Sequence, residues 1–159
     1  MTRLAIRGIP TERAERLRGG GPDANGQPAL RRRAQGAMNP CRHCLQLIRE
    51  GDETLVLSWR PFDDLQPYAE AGPIFLHAGD CPRYASDRLP SWFAHLRPAL
   101  LRGYGADDWI RYDTGQVLPG TELDPACRAL LQDSDVAYVH VRSKFNCFLC
   151  RVVRASPGE

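Results

Sequence analysis

The sequence predicts an α+β fold built around a mostly antiparallel sheet. Segments rich in alternating or β-branched apolar residues outnumber helical ones, and most connections between them are hairpin-short. The best helical periodicity is confined to DPACRALLQDSD, residues 124–135. A chain of 159 residues suits one domain with a hydrophobic core of its own. We therefore expect a single domain over residues 1–159. Its first part, 1–37, is an arginine-rich region that contains a glycine-rich loop at 19–28.

In chain order, TRLAIRG (2–8) reads as a short strand with Leu4 and Ile6 on one face. PTERAERLR (10–18) opens on a proline and reads as one to two helical turns. GGGPDANGQP (19–28) is turn-rich, and Arg31, Arg32 and Arg33 lead on to Gly36 and a cysteine turn. ETLVLSW (53–59) is a strand, RPFDDLQPYAEAGP (60–73) a loop, and IFLHA (74–78) a second strand. CPRYASDRLPSWFAHLRPAL (81–100) suggests a short helix from Pro82 and another turn of helix near Trp92. ALLRGYGADDWIRYDTG (99–115) reads as a hairpin turning around Ala106 to Asp108. In 124–135, Asp124 is the expected N-cap, while Ala126 with Leu130 and Cys127 with Leu131 recur at four-residue spacing. VAYVHVRS (136–143) and CFLCRVVR (147–154) complete the chain as an antiparallel pair.

No apolar run has the length of a membrane span, and the opening MTRLAIRGIPTERAERL carries charges where a signal peptide is apolar. The expectation is a cytoplasmic protein. In a reducing compartment, six cysteines in a full-sized domain are ligands, catalytic groups or core residues rather than a disulfide framework. Net charge is +2, with residues 1–37 holding eight arginines against Glu12, Glu15 and Asp23. Such a basic region can touch nucleic acid, but no aromatic residue interleaves its arginines, and a solvated surface is the simpler reading.

The chemistry centres on NPCRHCLQLIREGDE. Cys41-x-x-Cys44 is a spacing shared by metal sites and redox pairs. A redox pair opens a helix after a parallel strand, whereas here Pro40 precedes the motif and Gly51 leads into a strand. A turn ahead of a hairpin is where a zinc knuckle presents two thiolates to one ion, and a structural zinc needs four ligands. Cys147 and Cys150, three apart on a strand, point to opposite faces. Cys127 lies among helix leucines and reads as core. His77 and Cys81 remain, at a strand end and before Pro82, where they can converge across Ala78-Gly79-Asp80. The expected metal set is Cys41, Cys44, His77 and Cys81, with zinc as cofactor. His43 is an alternative to His77, and burial of the thiols without a metal is the competing reading.

A second feature is the alternation of Tyr138, His140 and Arg142 onto one face of a strand. With Arg102, Tyr104 and Arg111 from the preceding hairpin, these could bind a small anion, His140 acting as acid or base. The alternative is a polar sheet face turned to water. Cys41 beside Arg42 and His43 is a poor nucleophile–base pair, since near-adjacent residues rarely reach hydrogen-bond geometry and no third group is identifiable, and no Ser-based elbow, phosphate loop or HExxH occurs.

Locally, Cys41, Cys44, His77 and Cys81 resemble a treble-clef zinc module. CRHCLQLIREGDE is similar to the opening of the poly(ADP-ribose) polymerase-type zinc finger, with His-x3-Cys where that finger has a two-residue gap. Over nearly its whole length the chain resembles the bacterial family catalogued as domain of unknown function 1203. PDANGQPALRR, NPCRHCL, GDETLVLSWRPF, PYAEAGPIFLHAGDCPRY, LRGYGADD and VAYVHVRSKFNCFLCRVVR carry that likeness in order and spacing. It implies a single-domain cytoplasmic protein with no assigned reaction. Three functions are thus expected in turn: a zinc-stabilised binding domain, a small enzyme or anion-binding domain, and a nucleic-acid binder.

Overall fold

The computed structural model describes residues 1–158. Its strands are β1 (Leu4–Arg7), β2 (Leu30–Arg33), β3 (Glu53–Trp59), β4 (Gly72–His77), β5 (Ala85–Ser86), β6 (Ala99–Tyr104), β7 (Ile110–Leu118), β8 (Tyr138–Arg142) and β9 (Phe148–Arg154). The α-helices are α1 (Thr11–Arg18) and α2 (Leu123–Leu130), with 3-10 turns at Ser91–His95 and Gly120–Glu122. The strands form two antiparallel sheets. One has the order β5-β1-β9-β8-β6-β7 and the other β2-β3-β4. The expected α+β class, with mostly antiparallel sheet and few helices, is what the chain adopts.

Each helix covers one sheet. Leu123 and Cys127 of α2, with Leu131 just beyond it, stack at four-residue spacing on one face of the helix. They pack on Leu101, Val139, Val141 and Val152 of the larger sheet. Ala14 and Leu17 of α1 pack with Leu55, Leu57, Ile74 and Leu76 of the smaller sheet, and Cys41, Cys44 and Ile48 belong to the same cluster. A third, smaller cluster of Phe62, Tyr104 and Tyr138 lies under the β3–β4 loop. Each fully buried leucine or isoleucine contributes roughly 1.5–3 kcal/mol.

Three local expectations are corrected. Residues 82–90 form no helix. The Tyr84 amide donates to the His43 carbonyl and the Tyr84 carbonyl accepts from Gly8, so this backbone is committed to neighbouring segments instead of to itself. Asp124 is not an N-cap, because α2 begins at Leu123 and the Asp124 carboxylate pairs with Arg128 at 2.7 Å. The triple arginine is not a lead-in but strand β2, paired with β3. Residues 1–37 are tied into the fold, since β1 lies inside the larger sheet and Arg31 pairs with Glu53 at 2.7 Å.

Candidate metal centre

Residues 40–47 make a tight reversal. Pro40 and Leu47 form an antiparallel bridge, and the Cys41 amide donates to the Gln46 carbonyl at 2.9 Å. Leu45, directly after Cys44, takes φ +57°. A leucine there costs roughly 1–2 kcal/mol of backbone strain, which its burial in the larger core offsets. The reversal is wedged against β1 at Gly8, where any Cβ would collide with the His43 carbonyl oxygen. It is also bridged to β4 through Cys41 and Phe75.

β4 ends at His77, and the chain then turns through Ala78-Gly79-Asp80 to bring Cys81 back. The ligand atoms of Cys41, Cys44, His77 and Cys81 all lie within 4.8 Å of one another. The Cys41 and Cys81 sulfurs are 3.9 Å apart, and Cys44 Sγ lies 3.4 Å from His77 Nδ1. A tetrahedral ion with bonds of about 2.3 Å to sulfur and 2.0–2.1 Å to nitrogen sets these edges at about 3.8 and 3.5 Å. The four side chains named from the sequence lie together and can hold a metal ion. Cys41 and Cys44 are buried, while His77 and Cys81 are half-buried.

The three thiols are electrostatically linked. Hydrogen bonds from the Cys44 and Cys81 thiols, outweighing the effect of burial, push Cys41 far below the ordinary thiol range. Donating to Cys41, reinforced by burial, pushes Cys44 and Cys81 above that range. A dication in the centre would let all three thiols ionise.

Two surrounding side chains play parts that the sequence did not assign them. Arg18, at the end of α1, donates through Nε to the His77 carbonyl at 3.0 Å and through Nη2 to Cys81 Sγ at 3.2 Å. His43 sets Nδ1 3.1 Å from the same sulfur and Nε2 2.9 Å from the Thr11 hydroxyl. His43 thus sits behind Cys81 and is not the alternative to His77. Burial and the nearby Arg18 charge depress its pKa, favouring the neutral ring. Only the position of His43 inside the motif hinted at this role, and nothing in the sequence signalled Arg18.

The remaining cysteines stay outside the centre. Cys127 and Cys150 are core residues, and burial pushes the Cys127 thiol up to about 12. Cys147 is half-buried at the start of β9.

The Arg/Tyr/His face is brought together except for Arg111, but it is not a surface. Arg102 pairs with His140 across β6–β8, and Tyr104 with Tyr138. His140 is fully buried, ringed by Phe62, Tyr104, Tyr138 and Phe148 at centroid distances of 4.7–5.3 Å. Arg142 Nη2 approaches His140 Nδ1 at 3.1 Å, and His140 Nε2 has no hydrogen-bond partner among the described residues. The expected acid–base histidine is therefore enclosed. Burial first, and the arginines Arg142, Arg151 and Arg102 second, hold its pKa well below the usual value. Glu70, on the β3–β4 loop, accepts from Arg102 at 2.9 Å and forms an ion pair with Arg142 at 2.8 Å. Arg111 bonds Asp107 and the Trp109 carbonyl instead.

No helix among the described residues is long and apolar enough to cross a membrane. No curated protein and no solved structure is significantly similar to the chain. One family model matches residues 38–154, a span that contains all four clustered side chains and every strand from β3 to β9. The chain belongs to that family, described as a protein of unknown function (DUF1203).

Proposed function

We propose that Cys41, Cys44, His77 and Cys81 hold one structural zinc ion, and that the protein is a zinc-stabilised, non-catalytic binding domain. The observation that carries this reading is the convergence of three sulfurs and one imidazole within 4.8 Å. Soft thiolates with one imidazole select zinc over harder ions. Four protein donors fill a tetrahedral shell and leave no position for water or substrate, as in structural sites. Three thiolates around a dication carry one net negative charge, which the Arg18 guanidinium beside Cys81 offsets.

The ion would stabilise the fold directly. We expect residues 1–159 to melt as one unit in a single transition. A strong chelator, or Cys44→Ser, lowers that transition by about 10 °C or more, given roughly 2–4 °C per kcal/mol at this size. Unchanged melting in chelator, with no metal released, would rule the reading out.

A further inference from the structure

A cavity of ≈ 270 Å³ opens beside the metal-binding turn. Its lining includes Arg7, Arg13, Arg42, Arg83 and Arg151, with Asp63 as the one carboxylate among the described residues that line it. Three of these guanidiniums make their hydrogen bonds to neutral backbone carbonyls. Arg42 donates to Phe148 and Pro40 at 2.7 and 2.6 Å, Arg83 to Gly8 at 2.8 Å, and Arg151 to Pro61 at 2.7 Å. The Arg42 side chain is buried. Asp63 lies 3.9 Å from Arg13 with its side chain 92% exposed, so it neutralises little. Low-dielectric walls around like charges focus a positive field into the cavity.

The rest of the lining is apolar and flat. Ile9, Trp59 and Phe148 contribute to it, and the Arg13 guanidinium lies 4.1 Å over the Trp59 ring. The volume lies just below the usual range of ligand pockets, roughly 300–1,000 Å³. Planar guanidiniums match phosphate and carboxylate oxygens in pairs. We propose that this cavity binds a small organic anion: a phosphate or carboxylate group held by Arg83, Arg151 and Arg42, with a flat apolar body against Trp59 and Phe148.

Adenosine monophosphate is a suitable probe, measured by calorimetric titration of the metal-loaded full chain at fixed ionic strength. Saturable binding is expected, tighter than that of pyrophosphate, with no binding of adenosine. Losing one charge-assisted contact in Arg83→Gln raises Kd about tenfold or more. Arg32→Gln, on β2 and outside the cavity, leaves Kd unchanged. Arg83 is exposed, and its replacement keeps the fold, which the melting curve checks. Should Arg151→Gln also fold, it shows the same loss. Equal loss in Arg32→Gln, equal affinity for pyrophosphate, or no binding of either phosphate probe would overturn the proposal. Binding of a single-stranded oligonucleotide without binding of the nucleotide would overturn it in favour of nucleic acid.

Discussion

At the scale of single residues, His140 is the most consequential departure from what alternation along a strand suggests. Period-two reading places Tyr138, His140 and Arg142 on one face but does not say what covers that face. The β3–β4 loop covers it, with Phe62 against the imidazole and Glu70 against the arginine. Arg142 occupies Nδ1 as donor, which leaves the imidazole neutral and its other nitrogen pointing among rings. A histidine kept neutral by burial binds its proton only in the unfolded chain. Unfolding is therefore favoured as pH falls below the unfolded value near 6.5, by up to about 1.4 kcal/mol per pH unit. Above that pH the residue contributes no pH dependence. His140→Phe removes this slope between about pH 6.5 and 5. The difference between the two proteins' denaturation curves isolates it from protonation of the metal ligands. Parallel curves would mean that His140 is charged in the fold.

At the scale of elements, the strands with apolar alternation were legible and the polar ones were not. β3, β4, β8 and β9 carry apolar residues that announce them, whereas Leu30–Arg33 is exposed along its length. β2 is an edge strand, and charged side chains are how such edges discourage pairing with another chain. No hydrophobic signal was there to be read. The helix expected at Pro82 failed for a different reason, since its backbone groups are claimed by His43 and Gly8, residues distant in sequence. α1 was legible as a helix but not as a support for the centre. Its last residue, Arg18, holds Cys81 and the His77 carbonyl at once. Arg18→Ala therefore weakens zinc affinity by about 10- to 100-fold in a competition titration with a chromogenic chelator. Arg16→Ala, from the same helix turn, does not. Equal affinities would confine Arg18 to a packing role.

At the scale of the whole molecule, the cysteine turn is the joint between the two sheets. The Arg42 amide donates to the Phe75 carbonyl in β4, and its side chain donates to the Phe148 carbonyl in β9. The Arg42 and His43 carbonyls accept from Ile9 and Tyr84, and Leu45 accepts from Trp92. The same turn brings Arg42 and, through Cys81, Arg83 to the wall of the cationic cavity. Burial alone holds Arg42 down to about 10, against the pull of nearby thiols. The four clustered side chains could be named from spacing because a short turn and a strand exit are local features. Their position at the joint could not, because it depends on which sheet each end of the chain enters. On the reading we propose, a zinc ion bound by three thiolates and one imidazole sits at this joint. Metal analysis combined with X-ray absorption at the zinc edge on the purified full chain tests it most directly. One zinc per chain is expected, with three sulfurs at about 2.3 Å and one nitrogen at about 2.0–2.1 Å. Substoichiometric zinc in protein purified without chelator, or a shell without sulfur, would contradict it.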